Sequence, residues 1–309
     1  MKFELQGLLQ ALAERSVRPP LGTSIEAIAE YEGKVGLNLP PWLSALYLVH
    51  DGIPDAMPRD ATHDIDEMYV LPIERAAALS AGLSALGVFA IAEEDSDVLA
   101  QIVDGALQGY VVKIPHDGEM GPLFRDEREY LRELSALLRR GRSALRDLVP
   151  SCGGRRSSVD DQAKASALVT REASLPSTAR RSFQLQIAAC LLGSHQTEEF
   201  LTVLDDEDRY VRESAEDALR LLADAPARQL LDTYASHCKQ FETRCKRLVE
   251  SSGRTLVEMT QRTISATWAA IRVRGASGKL HWLPLAGLYG RRTDPSFDAW
   301  FCERVRELR

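Results

Sequence analysis

Residues 23–52, TSIEAIAEYEGKVGLNLPPWLSALYLVHDG, decide the first half of the chain. The stretch reads as helix, break, helix, stop. Thr23 is the expected N-cap, and Glu26 at the third helical position completes a capping box. Ile25, Ile28, Ala29 and Glu32 fall on one face at helical spacing. Gly33 and Gly36 weaken that helix, and Pro40 prevents its continuation because the ring clashes with the preceding turn. Pro41 opens a second helix at a position where the missing N–H costs nothing. Leu43, Leu46, Tyr47 and His50 form its inner face, Trp42, Ala45 and Val49 widen it, and Asp51-Gly52 ends it.

On either side of this stretch the pattern changes. Residues 1–22 predict a short N-terminal helix, apolar at Phe3, Leu5, Leu8, Leu9 and Leu12, packed as an arm on the first domain. Beyond Gly52, Pro54, Pro58 and the polar run from Asp60 to Asp66 predict a surface loop. Strands are expected at 68–72, 86–92, 97–104, 109–115 and 123–124. Asp126 with Glu129 then caps a helix that turns Leu131, Leu134, Leu137 and Leu138 inward. Helices at both ends of a strand meander predict an α+β fold, an antiparallel-rich sheet with helices to one side.

Ile28, Glu32, Gly36, Leu39-Pro40, the apolar helix from Trp42 to Val49 and the closing Asp51-Gly52 together resemble the opening signature of the SUKH superfamily. Its members begin I-x-x-x-E, then G, then LP, then a helix closed by N-G or D-G. The resemblance runs to about Leu138, under half of the chain, and implies a SUKH-like domain over 23–138. It also implies a binding module, in bacteria often an immunity protein that neutralises a toxin by covering its active site. Other members are regulatory scaffolds, and that implies the alternative of an adaptor.

Residues 139–160 are rich in arginine and contain Gly153-Gly154 and Ser157-Ser158, the composition of an exposed linker. From 161 to 225 the periodicity is helical. In LDDEDRYVRESAEDALRLLA, 204–223, Asp208 caps a helix whose stripe is Val211, Ala215, Ala218, Leu219 and Leu222. A shift of 28 residues lays Arg181, Phe183, Ile187, Cys190 and Leu191 over Arg209, Val211, Ala215, Ala218 and Leu219. This segment resembles HEAT-like repeats, which implies stacked helix pairs, with an ordinary helical bundle as the alternative. Residues 226–309 take no fold from the sequence. A long helix is expected over 228–250, 255–274 reads as either helix or strand, 280–285 is apolar, and a last helix turns Phe297, Trp300, Phe301 and Val305 inward.

The chain has 309 residues, 45% apolar and 27% charged, the balance of a soluble globular protein long enough for two domains. The N-terminus does not read as a signal peptide, and no apolar run approaches the ~20 residues of a membrane span. Five cysteines, an odd number without C-x-x-C, argue against a disulfide framework or a zinc site and fit a cytoplasmic, reducing compartment. Residues 1–138 hold 10 Lys and Arg against 23 Asp and Glu, whereas 139–309 hold 28 against 22. Such an acidic first part disfavours nucleic acid and favours a basic protein partner; the SUKH resemblance implies that this partner is the basic domain of a toxin, such as a nuclease.

Chemistry is sparse. The chain contains no phosphate loop, dinucleotide fingerprint or G-x-S-x-G elbow. It is expected to be no enzyme and to need no cofactor. The alternative enzyme reading rests on His237, His281 and the cysteines of the C-terminal segment. His63, Asp64, Asp66 and Glu67 have ligand types for a divalent metal, but in a polar loop they read as solvated charge. Glu93, Glu94, Asp95 and Asp97, between two expected strands, form an exposed row suited to a partner's lysines and arginines, with Asp64, Asp66 and Glu67 as further contacts.

Overall fold

The computed structural model describes the whole chain except residues 1, 55–67, 95, 117–119, 142–143, 173–178, 207, 262–268, 286–287 and 289–290. The fold is mixed α and β, with antiparallel sheets. In the first half the helices are α1 Lys2–Glu14, α2 Ile25–Val35, α3 Pro41–Tyr47, α4 Ile73–Leu83 and α5 Glu127–Arg139. They surround a six-stranded meander of β1 Ile53–Pro54, β2 Met68–Val70, β3 Val88–Glu94, β4 Asp97–Ile102, β5 Val111–Ile114 and β6 Gly121–Phe124, each strand beside its sequence neighbour.

The decisive stretch folds as helix, break, helix, with its caps moved. Ser24 rather than Thr23 caps α2, its hydroxyl accepting from Ala27 N at 3.2 Å, and Gly36 ends the helix at φ +70°. Glu32 then bends the chain, its carboxylate accepting from Leu39 N at 2.8 Å immediately before Leu39-Pro40. Trp42, Leu43, Leu46 and Tyr47 are buried, and Trp42 Nε1 donates to Gln101 Oε1 on β4 at 2.8 Å. The second helix stops at Tyr47, shorter than expected, so Val49 faces water; Ile25 is also exposed. Asp51 does more than end a helix. Its carboxylate caps α4 by accepting from Ile73 N at 2.8 Å.

The centre of the sheet is packed deeply, as an apolar run of strand length requires. Phe89, Ala90, Ile91 and Ala92 are consecutive on β3 and all inaccessible. Alternate side chains point to opposite faces of a sheet, so both faces are covered here. Ser80 of α4 reaches Ala90 N at 2.9 Å, and α1 lies on α5, where Arg15 donates to Leu138 O at 2.9 Å.

The second half begins with two helix pairs, α6 Val159–Glu172 with α7 Ala179–Leu191 and α8 Thr197–Leu204 with α9 Arg209–Leu222. α7 lies along α9. Ser214 Oγ of α9 donates to Gln186 Oε1 of α7 at 3.5 Å. Buried Arg181 on α7 pairs with Asp206 in the α8–α9 turn at 2.7 Å. α10 Ala225–Ser251 closes on α9 and carries a three-stranded antiparallel sheet of β7 Thr255–Gln261, β8 Ala269–Arg274 and β9 Leu280–Pro284, followed by α11 Phe297–Arg306. The ambiguous 255–274 segment thus supplies two paired antiparallel strands, β7 and β8. Phe297, Phe301 and Val305 are buried as expected, and Trp300 is half-buried.

The described part of 139–160 from residue 144 onward does not form a solvated linker. Ala144, Leu145, Leu148 and Cys152 are buried, and Ser151 N donates to Leu123 O of edge strand β6 at 2.8 Å. At the end of the segment lies a buried polar cluster. Asp161, inaccessible at the start of α6, accepts from Tyr110 Oη at 2.5 Å, Arg125 Nε at 2.9 Å, Arg125 Nη2 at 2.8 Å and Ser158 N at 2.6 Å. Burial alone would raise its pKa, but Arg125, Tyr110 and Ser158 outweigh that and hold the carboxyl below its ordinary value.

A candidate protein-binding cleft

The pinned segment forms the floor of a cleft of about 1210 Å³ between the sheet and the helix pairs. One wall is the end of the sheet, Met120, Pro122 and Leu123. The other is α9, which presents Tyr210, Glu213, Ser214, Asp217 and Leu221, with Gln186 and Cys190 of α7 deeper in. Gly153 and Gly154 turn the floor at φ +91° and +54°, a backbone that favours glycine. Arg155 Nε donates to Leu222 O at 2.8 Å and ties the floor to the end of α9.

Two side chains stand out because packing does not use them. Tyr210 is 59% exposed, with the Arg209 guanidinium 5.4 Å from its ring centre, and Leu221 is 63% exposed. Charge of both signs rims the cleft. Arg155 and Arg156 are exposed, and Arg220 bridges Asp217 at 2.6 Å and Glu216 at 2.8 Å. Exposed apolar side chains interspersed with charge of both signs suit a protein contact. The cleft exceeds the ~300–1,000 Å³ usual for a small molecule.

The acidic row is placed otherwise than the sequence suggested. Arg75 binds Glu93 at 2.9 Å, Glu94 is buried on β3, and Asp97 takes Lys113 at 2.5 Å and His116 N at 2.9 Å. These three carboxylates therefore do not form an open solvated row. Asp95, Asp64, Asp66 and Glu67 lie outside the described residues, as does His63.

The residues of the enzyme reading are dispersed in their roles. His237 is exposed on α10, and His281 Nε2 lies 2.6 Å from Arg309 O. All five cysteines are free thiols. Burial pushes the Cys152 and Cys245 thiols up to about 12. Among the described residues there is no group of three or more His, Cys, Asp or Glu able to hold a metal ion, and no helix is long and apolar enough to cross a membrane.

Sequence reasoning missed the cleft because its walls lie about ninety residues apart and its floor read as a linker. One signal was present: Leu145, Leu148 and Cys152 are apolar residues inside the arginine-rich segment, and a solvated linker has no use for them. Compared with known proteins, the chain matches no family model, no curated protein and no solved structure.

Proposed function

We propose that this chain is a cytoplasmic protein-binding module of the immunity type, a SUKH-like domain over 23–138 joined to a HEAT-like region over 161–225, which neutralises a basic bacterial toxin domain by binding it. The observation that carries this reading is the cleft, whose exposed Tyr210 and Leu221 suit a loop or extended segment of another protein. Aromatic residues at the centre of a contact supply much of its binding energy, and a charged rim of both signs supplies register. The acidity of residues 1–138 adds long-range attraction for a basic partner.

The test is co-expression with the protein encoded by the adjacent gene, followed by binding measurements on the purified pair. Capture of that protein and suppression of its toxicity are expected. Truncating a central aromatic at such a site costs ~2 kcal/mol or more, about 30-fold in Kd. Tyr210→Ala is expected to produce that loss without unfolding the chain. A complex insensitive to Tyr210→Ala and Leu221→Ser, but lost on Glu93→Lys/Asp97→Lys, would move the contact to the β3–β4 end of the sheet.

A further inference from the structure

Two exposed apolar faces lie outside the cleft. The first is on the acidic half. Residues 20–23 run beside 47–50, with Gly22 N donating to Val49 O at 3.0 Å, Thr23 N to Tyr47 O at 2.7 Å, and His50 Nδ1 3.3 Å from Pro20 O. A Cβ on Gly22 would lie 2.5 Å from the Leu48 carbonyl carbon, so only glycine allows so close an approach. The pairing brings Leu21, 90% exposed, and Ile25, 68% exposed, to the same stretch of surface as exposed Leu48 and Val49. Glu26 and Glu30, both exposed on α2, border it. Exposed aliphatics scattered singly are ordinary, but a contiguous group marks an interaction site.

The second face is on the basic half. Along β9, Leu280, Trp282 and Pro284 are exposed in alternation, whereas Ile271 and Val273 of β8 are buried on the other side of the sheet. Arg272 is in register with Trp282, its guanidinium 5.4 Å from the indole, and Arg274 is in register with Leu280 beside exposed Lys279. Trp282 remains 50% exposed despite this stacking. Residues 1–138 hold 10 basic and 23 acidic side chains, and residues 226–309 hold 15 and 8, so the two faces belong to regions of opposite charge.

We propose that the first face of one copy docks on the second face of another, the occupant of each being a second copy of this chain. Leu21, Ile25, Leu48 and Val49 cover Trp282 and Leu280, while Glu26 and Glu30 meet Arg274 and Lys279. Because the two faces differ, each copy offers one of each, so the contacts either close reciprocally between two copies or extend to a ring or an open chain. The cleft is left free, so this association is independent of the function proposed for it.

Sedimentation velocity of the full chain over a dilution series tests the proposal. Mass is expected to rise with concentration and to fall back when salt screens the charges beyond ~8 to 10 Å. Leu21→Ser/Ile25→Ser and Leu280→Ser/Trp282→Ser are each expected to stay monomeric, with circular dichroism confirming their fold. An equal mixture of the two is expected to give a dimer and nothing larger, because each pair retains one working contact. Arg274→Glu perturbs charge alone. It is expected to weaken association, and adding Glu26→Lys to the same chain is expected to restore it. A parent chain monomeric at every concentration, a single-face variant that assembles like the parent, or a mixture that forms no dimer would each overturn the proposal.

Discussion

Replacing Asp161 by Ala is expected to loosen the junction between the sheet and the helix pairs. Asp161 is inaccessible and accepts from Tyr110, Arg125 and Ser158. Removing one member of a buried ion pair costs ~3 to 5 kcal/mol, because the remaining charge loses its partner. Arg125 keeps 28% side-chain exposure and bonds to Glu129 and Arg156 O, which places the cost at the lower end, about 3 kcal/mol. At ~2 °C per kcal/mol for a large chain, the melting temperature is expected to fall by about 6 °C. Differential scanning calorimetry, with urea unfolding as a second probe, reads this directly. The pH dependence has a definite sign. The folded-state pKa of Asp161 is depressed below its ordinary 3.8, so its contribution is complete above that value and is lost as pH falls through the folded-state value. The stability gap between the parent and Asp161→Asn is therefore expected to be constant near neutrality and to close in strong acid. A fall in melting temperature under about 2 °C, or a gap that widens on acidification, would refute the assigned role.

The same contacts set three other outcomes. Trp42→Ala is expected to cost ~3 to 5 kcal/mol in chemical denaturation, and Trp42→Phe, which leaves buried Gln101 without its indole donor, ~1 to 3 kcal/mol. Because residues 144–158 are pinned, limited proteolysis of the parent is expected to spare that segment, and Asp161→Ala is expected to accelerate cleavage there. Alkylation at neutral pH, followed by mass spectrometry, is expected to label half-buried Cys190 and Cys302 before buried Cys152, Cys238 and Cys245.

The first half was legible where residues carry strong local rules. Gly36, Leu39-Pro40 and Pro41 placed the break between the first two helices, and Asp126 capped α5 with Glu129 N at 2.9 Å. The strands emerged from apolar runs between turns. What failed depended on distant partners. Helix α4 was not assigned, and it takes its cap from Asp51, twenty-two residues earlier. Ile25 and Val49 matched the helical period yet face water, because periodicity identifies a face without showing what covers it. Glu93, Glu94 and Asp97 read as an open row because Arg75 and Lys113, which bind two of them, lie on other elements. The cleft required the supposed linker to be pinned on β6, through bonds to Leu123 O that no local pattern announces.

The central claim is that the cleft receives the partner. The most direct measurement is hydrogen exchange, read by mass spectrometry, on the chain alone and bound to the protein encoded by the adjacent gene. Slower exchange is expected at 120–123, at 150–156 and along 209–221, with little change at 93–97. Protection confined to 93–97 and 113–116, with 150–156 and 209–221 unaltered, would contradict it.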